Sequence, residues 1–261
     1  MIITLLTDFG LRDNFVGVVK GVILGINPQA RIVDISHGIT PGDILQAAFL
    51  LESSYRYFPY GTIHLIIVDP GVGSGRKAII VKTKNYYFVG PDNGVLAPSL
   101  EAEGKVIKII SITNQRFYLK PTSSTFHGRD IFAPVVAYLS CGRNISEFGV
   151  SQKDYRHLEF PRPVIGKKTL LGRIIYIDRF GNLVTNIPQD VFRRFVGKAS
   201  FHIHLKNKII SQISKSYLDA DKNKPLAIFG SSGNLEISIS CGNAKNYFAA
   251  RRGVKVWVRL V

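Results

Sequence analysis

The texture of this chain changes once, and that change limits the fold more than any other feature. Up to about residue 155, strand-length apolar runs alternate with segments whose apolar positions recur at helical spacing. IITLLT is the first run and ends at Asp8. Residues 14–26 (NFVGVVKGVILGI) carry the helical period, and Asn27-Pro28 stops it, because a residue before proline is pushed out of the helical region. ARIVDIS predicts a second strand, and Asp43 is placed to cap a helix over DILQAAFLLESSY. TIHLIIVD is almost continuously apolar, as a strand covered on both faces must be. AIIVKT and YYFVG, split by a short polar turn, predict a hairpin; VIKII predicts another strand and DIFAPVVAYLS another helix. This alternation specifies a layered α/β sheet and leaves open which strands run parallel.

Residues 156–168 (RHLEFPRPVIGKK) are proline-rich and charged, as a linker would be. Beyond them come short apolar runs, LLGRIIYID, LVTNI, ASFHIHL, PLAIFG, LEISIS and VKVWVRL, punctuated by Gly, Asn, Ser or Pro. These predict a small β-barrel or sandwich with one short helix near DVFRRF. The organisation expected is an α/β domain over residues 1–158, a linker over 159–168 and a β domain over 169–261.

Charge breaks at the same place. Residues 1–155 hold 15 Lys and Arg against 12 Asp and Glu, whereas residues 156–261 hold 19 against 6, so nearly all of the net +16 lies in the second part. A basic half invites a nucleic-acid reading. No aromatic RNP-like motif, zinc-finger spacing or Arg-rich helix supports it, and a solvated basic face is the simpler account. The start, MIITLLTDFG, is apolar for too few residues to predict a signal segment or a membrane span. Cys141 and Cys241 are far apart and outside any ligand spacing, so neither a disulfide framework nor a metal site is expected and a reducing cytoplasm is the default.

Functional side chains in layered α/β proteins gather where strands end. Asp8, Asp69 and Asp92-Asn93 each follow a predicted strand here, and Asp178 follows RIIYI in the second half. One such acid is usually a turn former or cap. Several beside DPGVGSGRKA ask for more. That segment lacks the spacing of a phosphate loop, but it places Asp69 and Arg76 on one glycine-rich turn. TFHGRD puts His127 just before a predicted helix.

Six segments taken in order, TDFGLRDNFVGVVKG, DISHGITPGDILQAA, VDPGVGSGRKA, GPDNGVL, TFHGRDIFAP and IDRFGNLVTNI, resemble the S-adenosylmethionine hydroxide adenosyltransferase family, whose relatives include the fluorinase and chlorinase. The likeness runs along nearly the whole chain and is weakest over residues 188–225. It implies an N-terminal α/β/α domain followed by a smaller C-terminal β-barrel, and a homotrimer with active sites between subunits. It also implies a reaction without metal or other cofactor, in which water attacks S-adenosyl-L-methionine to give adenosine and L-methionine. Asp69 stands where the fluorinase pattern has tyrosine, Gly128 where it has serine, and the fluorinase insertion is missing. Asp69, Arg76 and His127 are therefore similar to the catalytic set of the water-using branch.

The likeness further implies that Asp8 binds the ribose hydroxyls and Asp178 the methionine ammonium. Asn182 and Phe180 would meet the adenine edge and ring, and Ser231 in FGSSGNLEI would meet the methionine carboxylate. Ser232 falls where relatives have arginine, and a plain turn role for Ser231 stays open. His37 and Asp92 are read as structural. The competing expectations are a halide adenosyltransferase on the same fold, which the Asp69 carboxylate disfavours by repelling an anion, a basic nucleic-acid-binding protein, and an adenosine-ligand binder without turnover.

Overall fold

The computed structural model describes all residues, Met1–Val261, and these divide into two compact units, Met1–Glu159 and Phe160–Val261.

The first unit is built on seven strands: β1 (Ile2–Thr7), β2 (Arg31–Ser36), β3 (Ile63–Ile67), β4 (Ala78–Thr83), β5 (Tyr87–Pro91), β6 (Val106–Ile112) and β7 (Gly149–Ser151). They lie in the order β2-β1-β3-β5-β4-β6-β7. The sheet is mixed. β2, β1, β3 and β5 pair in parallel, whereas β4 pairs antiparallel with both β5 and β6, and β7 pairs antiparallel with β6. The open question of strand direction is thus answered by the β4-β5 hairpin, which inserts a reversed strand into a parallel core.

Period-two alternation sends side chains to opposite faces of this sheet. Ile3, Leu5, Ile63, Leu65, Val89 and Ile110 pack under α1 (Phe15–Ile26) and against Phe132 and Val136. Leu6, Ile66, Phe88 and Ile109 pack on the other face with Ala47 and Leu51 of α2 (Ile44–Glu52) and Leu100 of α3 (Ala97–Glu103). This is the expected α/β/α layering. α1 buries Val16, Val19 and Ile23, spaced three and four apart, each such burial contributing ~1.5–3 kcal/mol. Asp43 caps α2 as expected, accepting from the Gln46 amide at 3.0 Å. α3 was not legible: its seven residues carry two glutamates and a proline and give no clear period.

The predicted helix over DIFAPVVAYLS begins differently. Gly128–Phe132 form a π-helical turn that runs into α4 (Ala133–Ser140). Pro134 has no N–H to return to the Asp130 carbonyl, and the Leu119 amide takes that carbonyl instead at 2.9 Å. The missing helical bond is thus spent on pinning the preceding loop.

The second unit is antiparallel throughout its named strands: β8 (Val164–Ile165), β9 (Thr169–Ile177), β10 (Leu183–Pro188), β11 (Phe201–Leu205), β12 (Lys208–Ile210), β13 (Pro225–Phe229), β14 (Asn234–Ile239) and β15 (Lys255–Leu260). Seven follow the order β12-β11-β15-β9-β10-β14-β13, with β8 beside β9. Just after β12, Ile213 bridges Ala227 of β13, and the Ser214 amide donates to the Ala227 carbonyl at 2.7 Å. The two ends of the sheet thereby meet, and the barrel is nearly closed. Leu170, Ile174, Leu183, Ile203, Leu235, Ile237, Val256 and Val258 fill its interior, with Phe192 of α5 (Gln189–Val196) and Phe248 beyond α6 (Ala244–Tyr247). β8, β12 and α6 are two to four residues long and left no pattern in the sequence. No helix is long and apolar enough to cross a membrane.

Candidate active site

The polar centre of the first unit lies beyond the end of β3. Arg76 donates through Nε to Asp69 Oδ1 at 2.9 Å and through Nη2 to Asp69 Oδ2, a two-pronged contact that matches guanidinium to carboxylate. The same Nη2 lies 2.9 Å from His127 Nδ1. Both charged side chains are nearly closed off, 9% exposed for Arg76 and 6% for Asp69. The Phe132 ring lies under the guanidinium, 5.4 Å from centroid to Cζ. The structure therefore brings Asp69, Arg76 and His127 into one contact chain.

That chain fixes the histidine's proton. Arginine has only donors, so Nδ1 must be the acceptor, and the neutral ring carries its hydrogen on Nε2. Burial holds the His127 pKa below the ordinary histidine value, the Arg76 charge adds to this, and Asp69 and Asp130 oppose it. The centre thus combines one fixed cation with one neutral N–H donor, a pairing suited to a small oxygen nucleophile acquiring negative charge.

Three further features hold this geometry. Asn93 donates from Nδ2 to the Val68 carbonyl at 2.9 Å, fixing the residue before Asp69. Asp130 is fully buried; burial works against its charge, but Arg129 and the Ser123 amide win and keep its pKa low. It thereby ties the 119–125 loop to the turn that carries His127. Gly73 has φ +76°, and a β-carbon there would lie 2.4 Å from the Ser124 carbonyl. Only glycine lets the Asp69–Arg76 loop lie so close to the segment before His127. Asn93 and Gly73 stand in recognisable motifs, but their contacts, to Val68 and Ser124, join residues far apart in sequence.

Asp8 stands at the end of β1, partly buried, with Oδ2 accepting from the Gly42 amide at 2.7 Å. Phe9, next to it, joins Phe15 and Phe126 in edge-on and tilted ring contacts, and these rings with Ser123, Thr125 and Arg129 line a cavity of about 400 Å³. The elements carrying Asp8 and His127 therefore share an aromatic cavity. His37 and Asp92 make structural contacts: His37 Nδ1 meets Thr7 Oγ1 at 2.8 Å, and Asp92 accepts from Gln152 and the Arg156 amide.

In the second unit, Asp178 and Asn182 bracket one turn. Asp178 Oδ1 accepts from the Asn182 amide and Oδ2 from Asn182 Nδ2, both at 2.8 Å. Phe180 at its tip is 75% exposed, offering a free ring face. Ser231 is exposed on the turn between β13 and β14, closed by the Gly233 amide donating to Gly230 at 2.9 Å. No group of three His, Cys, Asp or Glu side chains is placed to hold a metal ion.

A layered α/β unit with a carboxylate-guanidinium-imidazole chain beyond the end of β3, followed by a nearly closed barrel, is the two-part architecture that the family comparison identifies. The chain belongs to the SAM hydroxide adenosyltransferase family: the profile of that family's N-terminal domain matches residues 3–149 and that of its C-terminal domain matches residues 172–257. It is 41% identical over 253 residues to the (R)-S-adenosyl-L-methionine hydrolase of Methanocaldococcus jannaschii, covering 93% of this chain and 90% of that one. It is 31% identical to the hydrolase of the same name from Salinispora arenicola, covering 96% and 95%. A fluorinase from Actinoplanes is 28% identical over 71% of each chain. Among solved structures, an uncharacterized conserved protein from Thermotoga maritima superposes with a TM-score of 0.92 at 38% identity, covering 99% of this chain and all of that one.

Proposed function

We propose that this chain is a hydrolase that cleaves S-adenosyl-L-methionine, in the (R) form named for its relatives, into adenosine and L-methionine. The observation that carries the mechanism is the Asp69-Arg76-His127 contact chain. The sulfonium departs as a neutral thioether and needs no acid. The difficulty is the nucleophile, since bulk water has a pKa of about 15.7. Arg76 and the Nε2–H of His127 favour a hydroxide-like oxygen, and Asp69 anchors Arg76 in place. Water gives its oxygen to C5′, the C5′–S bond breaks with its electron pair going to sulfur, and the released proton passes to solvent. The scheme requires no cofactor.

Asp8 is read as the ribose ligand, Asp178 as the ammonium ligand, Asn182 and Phe180 as the adenine contacts, and Ser231 as the carboxylate contact. The working enzyme is read as a cytoplasmic homotrimer with active sites shared between subunits, to be checked by light scattering on the eluting protein. The deciding experiment is turnover of each sulfonium epimer in oxygen-18 water, with and without chloride. Adenosine labelled at its 5′ oxygen, formed faster from the (R) form, is the expected result. 5′-Chloro-5′-deoxyadenosine would replace water by halide, and unlabelled adenosine would remove attack at C5′.

A further inference from the structure

Glu236 is an anomaly in the barrel wall. Its neighbours Leu235 and Ile237 point into the apolar interior, so Glu236 points outward, where a carboxylate is normally wet. It is nevertheless only 6% exposed. Tyr217, from the segment before β13, covers it and donates to Oε1 at 2.8 Å, and Ser238 donates to the same oxygen at 3.0 Å. No Lys, Arg or His nitrogen of the chain comes within 4.0 Å of Glu236 or of Asp178. A buried carboxylate is expected to be paired, and this one is not.

The rest of its surroundings explains what the pairing group would be. β10 lies between β9 and β14, with Val184 opposite both Tyr176 and Glu236, so Asp178 at the end of β9 stands near the same patch of wall. Burial first, and then the nearby Asp178 charge, push the Glu236 pKa up against its two hydrogen bonds. Tyr217, pushed up to about 12 by burial and by Glu236, stays a donor. The second oxygen, Oε2, lies against Gly230, where an added β-carbon would come within 2.6 Å of it. Gly230 adjoins Ser231, the residue read as the contact for the methionine carboxylate. Along the wall Glu236 therefore stands between the Ser231 turn and Asp178, with Oε2 turned toward the Ser231 turn.

We propose that Glu236 is a second anionic ligand for the α-ammonium of the substrate's methionine arm, acting beside Asp178, with Gly230 leaving the room this requires. The assignment rests on the hydrolase reading above. Glu236→Gln keeps the shape and an oxygen acceptor for Tyr217 and Ser238 while removing the charge. Its KM for S-adenosyl-L-methionine is expected to rise about tenfold or more, with kcat nearly kept, because a charge-assisted contact is lost in substrate and transition state alike.

The discriminating probe is 5′-(dimethylsulfonio)-5′-deoxyadenosine, which keeps the sulfonium and lacks the amino-acid arm. Its kcat/KM is expected to be the same in wild type and Glu236→Gln. Equal losses on both substrates, or no change on either, would overturn the proposal. Gly230→Ala, which crowds Oε2, is expected to repeat the selective KM effect. A wild-type protein that releases no adenosine from S-adenosyl-L-methionine would sink the hydrolase reading itself. In that case calorimetric binding of L-methionine against its 2-hydroxy analogue tests Glu236 directly: a wild-type preference for the amine that Glu236→Gln does not diminish overturns the role.

Discussion

Arg76 Nη2 and His127 Nδ1 lie 2.9 Å apart, and because only the arginine can donate, the imidazole is held as the tautomer with hydrogen on Nε2. A histidine so held presents an N–H on Nε2, which under the proposed mechanism is the donor to the nucleophile, and is blocked at Nδ1 from acting as a base. Glutamine can place an N–H where Nε2 stood, and asparagine can only replace Nδ1. His127→Gln is expected to keep measurably more kcat than His127→Asn, with His127→Ala lower by roughly 10²–10³-fold than wild type. Equal inactivity of the glutamine and alanine variants would point to a base instead. The pH profile carries the same sign. The folded pKa of His127 is depressed, chiefly by burial, so activity is expected to be full above the ordinary histidine value and to fall as pH drops through the lowered one, when the cationic ring repels Arg76.

The Asp69-Arg76 pair should matter to stability as well as rate. Arg76→Ala leaves a closed-off carboxylate without its partner, a defect costing roughly 3 kcal/mol or more. Urea unfolding should show that loss for Arg76→Ala and a smaller one for Asp69→Asn, where the buried Arg76 cation loses its counter-ion but the amide oxygen still accepts from the guanidinium. Arg76→Lys should recover part of the stability but little activity, because an ammonium cannot hold Asp69 with two parallel bonds and reach His127 as well.

Gly73→Ala tests how closely two loops must approach. The added methyl meets the Ser124 carbonyl and demands an unfavourable φ, so about 1–3 kcal/mol of stability should go. A greater relative loss is expected in kcat, on the order of 10²-fold if the Asp69–Arg76 loop is displaced by about an ångström from the segment before His127. Unchanged kcat would mean that the loops act independently.

Far from the centre, His64 should shape acid unfolding. It is fully buried on β3, stacked on Phe88 and bonded through Nδ1 to Thr4 Oγ1 at 2.8 Å, and burial pushes its pKa down to about 3. The unfolded chain takes up this proton near 6.5. Stability from keeping His64 neutral is therefore complete above that pH and lost progressively as pH falls toward about 3. His64→Gln is expected to flatten the dependence of urea midpoint on pH in that window.

The strands with strong apolar runs, the cap at Asp43 and the break in texture were legible because each is a local pattern. So were Asp69, Arg76 and His127, through motifs that the family resemblance joined. The hydrogen bond that sets the His127 tautomer was not legible, since it spans residues 51 apart and depends on which ring nitrogen faces Arg76. Nor was Glu236: in LEISIS it reads as the outward position of an alternating strand, and the pattern does not show that Tyr217, 19 residues earlier, folds onto it. The π-helical turn was hidden because Pro134 breaks one bond of an otherwise ordinary helical period.

The reversed strand in the first sheet has a consequence for how this chemistry is assembled. β3 ends before Asp69 and β4 begins after Arg76, two places over, with β5 between them. Because β4 runs backwards, its first residues lie on the same border of the sheet as the last residues of β3. A parallel β4 would have delivered Arg76 to the far border, about 17 Å away along a strand of this length. One change of direction lets a six-residue turn carry an acid and its cation to a single rim, where β6 also ends and leads on to His127.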